Sequence, residues 1–145
     1  MNIVIEPDKQ TSGTRAAADG AAMIRDAIAT HGNAHVILAT GASQFEMLEA
    51  LLQQPDIHWE KVTCFHLDEY VGMSINHPAS FRQYLWQRFH ARLPVPLKAF
   101  HYLDGEDDAP AEADRVGRLL AALDRPIDVA FVGIGENGHL AFNDP

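Results

Sequence analysis

The chain has 145 residues, a formal net charge of -9, 47% hydrophobic residues and one cysteine. That size suits one domain with a real core, and the composition is globular rather than disordered. The acidic balance argues against a nucleic-acid surface, which needs clustered Lys and Arg. No run is long and apolar enough to span a membrane, and no signal-peptide pattern is seen. A lone cysteine permits no internal disulfide, so a reducing, cytoplasmic setting is expected. Cys64 lies inside an apolar run and reads as a buried, inert thiol.

In chain order, Ile3-Val4-Ile5 reads as a short edge strand or an arm. A helix is predicted from about Thr11 to His31, capped by Thr11 or Ser12 and ended by Gly32-Asn33. His35–Ala39 is a strand, and the spacing of Phe45, Met47, Leu48, Leu51 and Leu52 marks a helix that stops before Pro55. A strand follows at Lys61–Leu67, then a helix from Pro78 to about Leu93 with proline in its first turn. Phe100–Leu103 is a strand, Pro110–Leu123 an amphipathic helix, and Ile127–Val132 the last strand. Glu106-Asp107-Asp108 reads as a solvated loop that favours the following helix start. Trp59, Trp86 and Phe89 could be core or interface, and core is the favoured reading for single aromatics on a helix face.

Apolar strands alternating with helices predict an α/β fold, a Rossmann-like parallel sheet with helices on both faces. The carboxyl ends of parallel strands share one edge, and ligands bind outside it, where strand order reverses. Three strands run straight into polar loops: Thr40-Gly41-Ala42-Ser43, Asp68-Glu69-Tyr70 and Gly133 through Asp144. These loops are therefore expected to meet in one cleft.

Each loop has two readings. Backbone N–H groups and hydroxyls of Thr40–Ser43 could hold a phosphate, or Ser43 could simply cap the next helix. Asp68 or Glu69 could serve as a general base, or could cap nearby backbone. His139, five residues before Asp144, is either an imidazole oriented by a carboxylate or a surface histidine in a glycine loop. His66, Asp68, Glu69 and His139 could all lie at strand ends, yet no tight ligand spacing supports a metal, and none is expected. Ser43 and Ser80 lack the elbow of a serine nucleophile.

Thr40-Gly41-Ala42-Ser43, Leu67-Asp68-Glu69-Tyr70-Val71-Gly72, His77-Pro78-Ala79-Ser80-Phe81 and Gly133–Pro145 together resemble the glucosamine-6-phosphate deaminase/isomerase family. The resemblance implies a cofactor-free isomerisation with deamination of glucosamine 6-phosphate to fructose 6-phosphate and ammonia. It implies that Asp68 moves the proton between C2 and C1, and that His139 assists ring opening with Asn137 and Asp144 orienting it. Substrate binding falls to Thr40, Gly41, Ala42, Ser43, Glu69, Gly135 and Gly138, with Gly41, Ala42 and Ser43 at the phosphate. Asn137 and Asp144 stand where well-known relatives carry aspartate and glutamate, and Asn137 orients without adding charge.

The resemblance also implies a longer chain: the single domain 1–145 is expected to be incomplete at its C-terminus and inactive or weakly active alone. The expected partner is a small-molecule sugar phosphate, with assembly into a homo-oligomer left open. The alternatives are an isomerase or lactonase acting on another sugar phosphate, and a non-catalytic sugar-phosphate sensor. No helix-turn-helix segment precedes residue 35, which counts against a sensing regulator.

Overall fold

The structure, a computed structural model, describes residues 2–143. The first helix, α1 (Lys9–His31), is capped by Asp8, whose carboxylate accepts the Thr11 N–H at 2.7 Å. It therefore starts upstream of the expected caps, because aspartate at position 8 satisfies an N-terminal donor before Thr11 or Ser12 can. It ends as expected at Gly32, whose φ of 81° lets its N–H reach the Ile28 carbonyl. Ile3–Ile5 lies ahead of α1 as an exposed arm and pairs with no strand among the described residues.

The remaining elements follow in the predicted order. They are β1 (Ala34–Leu38), α2 (Phe45–Leu52), β2 (Val62–His66), α3 (Phe81–Arg88), β3 (Ala99–His101), α4 (Ala109–Ala121) and β4 (Val129–Phe131). All strand pairs are parallel, in the order β3-β2-β1-β4, with Val36 opposite both Cys64 and Val129. Residues Val36, Leu38, Val62, Cys64, Val129 and Phe131 point into one core with Ile24 of α1, Leu48 and Leu51 of α2 and Leu85 of α3. The chain winds β1, β2, β3 in one direction and then returns across the sheet to β4. A right-handed crossover for that return puts α4 on the opposite face. Cys64 is fully buried and burial pushes its thiol up, so it is inert as expected.

One helix start is corrected. Pro78 does not open α3: Ser80 caps it, accepting from the Gln83 N–H at 3.3 Å, and His77–Ser80 forms a turn. Trp59 and Phe89 are core residues packed edge to face, but Trp86 is half exposed. Leu85 takes the buried direction on α3, and the next residue is rotated about 100° away from it. In the acidic run, Asp108 caps α4 through the Ala111 N–H, while Glu106 is drawn into an ion pair with Arg82. No helix of the described residues is long and apolar enough to cross a membrane.

Candidate functional site

Strand order reverses between β1 and β4, and the loops leaving their carboxyl ends separate there. A cleft of about 580 Å³ opens at this edge. Thr40, Gly41, Ala42 and Ser43 line it from the loop after β1, Asp68 and Tyr70 from the loop after β2, and Gly133, Gly135, Glu136 and His139 from the loop after β4. Three segments distant in sequence thus converge as topology predicts.

The loop after β1 is held open by its neighbours. Gly41 has a φ of 96°, and its carbonyl accepts from the Gln44 N–H at 3.1 Å and from the Tyr84 hydroxyl at 2.9 Å. Ser43 does not cap α2; Gln44 occupies the cap position, and no side chain bonds the first turn. The Ser43 hydroxyl instead packs against Gly133, where a Cβ would lie 2.3 Å from its Oγ. Glycine at 133 is what lets the two loops touch.

Asp68 and Glu69 are adjacent but have opposite surroundings. Asp68 is half-buried in the cleft wall, and its carboxyl is pushed up, first by burial and second by the negative charge of Glu69. Glu69 faces away from the cleft, with its side chain 2% exposed. Its carboxylate accepts from the N–H groups of Tyr70, Phe81 and Arg82 at 3.0, 3.1 and 2.8 Å and from the Ser80 hydroxyl at 3.0 Å. The expected ligand role of Glu69 thus finds no surface on the cleft; the residue anchors the start of α3. Arg82 behind it also pairs with Asp104 at 2.6 Å and Glu106 at 2.9 Å.

The loop after β4 wraps its imidazole tightly. The Gly135 N–H donates to the His139 carbonyl and the Gly138 N–H to the Gly135 carbonyl, both at 2.9 Å. The His139 ring lies directly over Gly135, where a Cβ would fall 2.0 Å from its Cε1. Asn137 Oδ1 accepts from the His139 N–H at 3.2 Å and also contacts the ring Nδ1. An amide oxygen only accepts, so Nδ1 carries the proton and Nε2 is the acceptor nitrogen. Asn137 therefore sits behind the imidazole, and Gly138, with a φ of 87°, turns the loop. Neither lines the cleft. Asp144 lies outside the described residues.

Several residues that build the site were given no role there from the sequence. Tyr70, Phe81 and Phe142 form an aromatic wall along the cleft, with Tyr70 about equidistant from the other two at 5.0 and 4.9 Å. Tyr84 reaches the loop after β1 from α3, and burial raises its hydroxyl to about 12, which keeps it a donor. His66 turns into the protein, 4% exposed, with its ring edge-on to Tyr102 and burial lowering it to about 4. Among the described residues no group of three His, Cys, Asp or Glu is placed to hold a metal ion.

A sequence model described as glucosamine-6-phosphate isomerases/6-phosphogluconolactonase matches residues 7–142. A glucosamine-6-phosphate deaminase of Phocaeicola vulgatus is 33% identical over 150 residues, spanning 100% of this chain and 57% of that protein. One from Streptococcus pneumoniae serotype 4 is 32% identical, over 98% of this chain and 58% of its own length. The chain thus spans under two thirds of the length of these relatives. The solved structure of a monomeric glucosamine-6-phosphate deaminase superposes with a TM-score of 0.88 at 28% identity, covering 100% of this chain and 60% of the other. A 6-phosphogluconolactonase of Shewanella baltica shares the fold, with a TM-score of 0.73 at 23% identity over 92% of this chain and 56% of its own. With its model matched from residue 7 to residue 142, the chain belongs to the family of glucosamine-6-phosphate isomerases and 6-phosphogluconolactonases.

Proposed function

We propose that this chain carries the proton-transfer part of a sugar-phosphate site that isomerises and deaminates glucosamine 6-phosphate to fructose 6-phosphate and ammonia. The observation that carries the reading is Asp68: a half-buried carboxylate with raised proton affinity, sharing one cleft with His139 and the Thr40–Ser43 loop. The deaminase relatives in P. vulgatus and S. pneumoniae support it.

The residues divide the work. Backbone N–H groups and hydroxyls of Thr40–Ser43 take the phosphate. His139 Nε2 accepts the C1 hydroxyl proton and returns a proton to the ring oxygen; the C1–ring-oxygen bond breaks and C1 becomes an aldehyde. Asn137, behind Nδ1, holds the tautomer that leaves Nε2 basic. Asp68 then removes the C2 proton while the C1 oxygen takes a proton from water, giving an enolamine, and Asp68 delivers its proton to C1, leaving a C2 iminium. Water adds to C2, ammonia leaves as the C2 ketone forms, and the extra proton returns to solvent. Burial helps here, because a carboxylate with higher proton affinity is a stronger base.

The test is ammonia release from glucosamine 6-phosphate by the gene's full-length product, wild type beside Asp68→Asn. Release in the wild type with loss of about a hundredfold or more in the variant supports the reading. A folded wild type that releases no ammonia refutes it. The shared family keeps one second reading in view, and acid production from a 6-phosphogluconolactone would favour that instead.

A further inference from the structure

Glu69 is a carboxylate beside the proposed base, yet it spends its acceptors on four donors from residues 70, 80, 81 and 82. A buried charge is tolerated only when it is hydrogen-bonded and paired, and the N–H donors of the α3 start with Arg82 behind them supply both. None of these donors is spent on Asp68. We propose that Glu69 is the positioning residue of this site, locking the backbone that carries Asp68 onto α3 and keeping a fixed negative charge beside the base. This rests on the base role proposed for Asp68.

Two observations point the same way. The contacts tie residue 69 to α3 through bonds that cross 11 to 13 positions, so the strand end cannot rotate independently of the helix. The clamp also extends across the loop after β3, where Arg82 reaches Asp104 and Glu106, and Glu106 accepts the Ile75 N–H at 3.1 Å. The charged and titratable groups around Asp68 are Glu69 on its own loop, Arg82 of α3 behind Glu69, and Glu136 and His139 across the cleft. Of these, Glu69 is the one whose charge acts on the Asp68 carboxyl, adding to the effect of burial.

The experiment compares the gene's full-length wild-type product with Glu69→Gln and Ser80→Ala. Glutamine keeps the shape but removes the charge; Ser80→Ala removes one clamp bond together with the Ser80 cap on the Gln83 N–H and keeps the charge. In Glu69→Gln we expect kcat for ammonia release to fall about ten- to a hundredfold with KM within about twofold, as misplacement of a reacting group gives. The acid-side midpoint of kcat/KM moves to lower pH. In Ser80→Ala kcat falls less and the midpoint stays. A Glu69→Gln midpoint that does not move, or a rise in KM in place of the fall in kcat, overturns the proposal. If Glu69→Gln does not fold, Ser80→Ala decides: unchanged kcat overturns it, and lowered kcat at constant KM supports it. If the wild type releases no ammonia, the functional reading fails separately. The Asp68 carboxyl is then titrated by carbon NMR in wild type and Glu69→Gln, and an unmoved midpoint overturns the positioning role.

Discussion

Gly135→Ala separates what the glycine loop does for stability from what it does for chemistry. Gly135 has no positive φ, so alanine fits its backbone. The added Cβ would nevertheless lie 2.0 Å from His139 Cε1, 2.3 Å from Nδ1 and 2.5 Å from Nε2. Carbon contacts are comfortable at about 3.5–4.0 Å, so the ring must move by roughly 1.5 Å. The ring is the far end of a partly exposed side chain whose main partner is the neighbouring Asn137, and we expect a change of under about 1 kcal/mol in stability. A displacement of that size at a proton-transfer group costs about a hundredfold in rate. The assay is ammonia release with kcat and KM separated, beside a denaturant midpoint. Gly117→Ala, on α4 with nothing within 4 Å of its added Cβ, is the control. Gly135→Ala with kcat within twofold of wild type would refute the packing of the imidazole on this glycine, or its part in the reaction.

Three other outcomes follow from the same structure. Tyr84→Phe removes the donor to the Gly41 carbonyl. It should lower stability by about 1 kcal/mol and raise KM more than it lowers kcat, and an unchanged KM would separate this bond from substrate binding. Arg82→Met leaves Glu69 buried without its cation and should cost about 3 kcal/mol in a denaturant titration; a loss below about 1 kcal/mol would show the pair is not needed. His66 is held near a pKa of about 4 against an ordinary 6.5, because burial disfavours its charged form. The unfolded chain therefore binds a proton that the folded chain refuses as pH falls below about 6.5, so stability is full above that pH and declines toward 4. Between pH 7 and pH 5 this amounts to about 2 kcal/mol, which His66→Phe should remove; equal pH dependence in both proteins would contradict it.

The fold was legible because its signals are local. Apolar runs gave β1, β2 and β4, and Gly32 stops α1 within the chain neighbourhood that predicts it. Boundaries slipped where a distant partner took over a cap. Pro78 reads as a helix start, but Ser80 and Glu69 meet the first donors of α3 three residues later. The convergence of Thr40–Ser43, Asp68 and His139 was legible too, since parallel strands place their ends together whatever their order in the chain. The orientation of Glu69 was not. Nothing in Asp68-Glu69 says which carboxylate faces the cleft, because the deciding donors lie 11 to 13 residues onward. Tyr84 is further from view, 43 residues from the carbonyl it holds.

The division between those two carboxylates follows from where β2 ends. Its last residue, His66, points into the core, so Leu67 and Asp68 must cross the sheet edge before the chain turns toward α3. A carboxylate leaving the edge at once meets the cleft and little else, and partial desolvation raises its proton affinity. The next one meets the open N–H groups of α3, which hold its carboxylate by hydrogen bonds. Identical chemistry one residue apart is thus split into a group suited to exchanging a proton and a group suited to holding still. Moving the carboxylate pair by one position would put the donors on the wrong residue. The requirement is therefore on register: one residue of slip between β2 and α3 would cost the site its base even with every side chain retained.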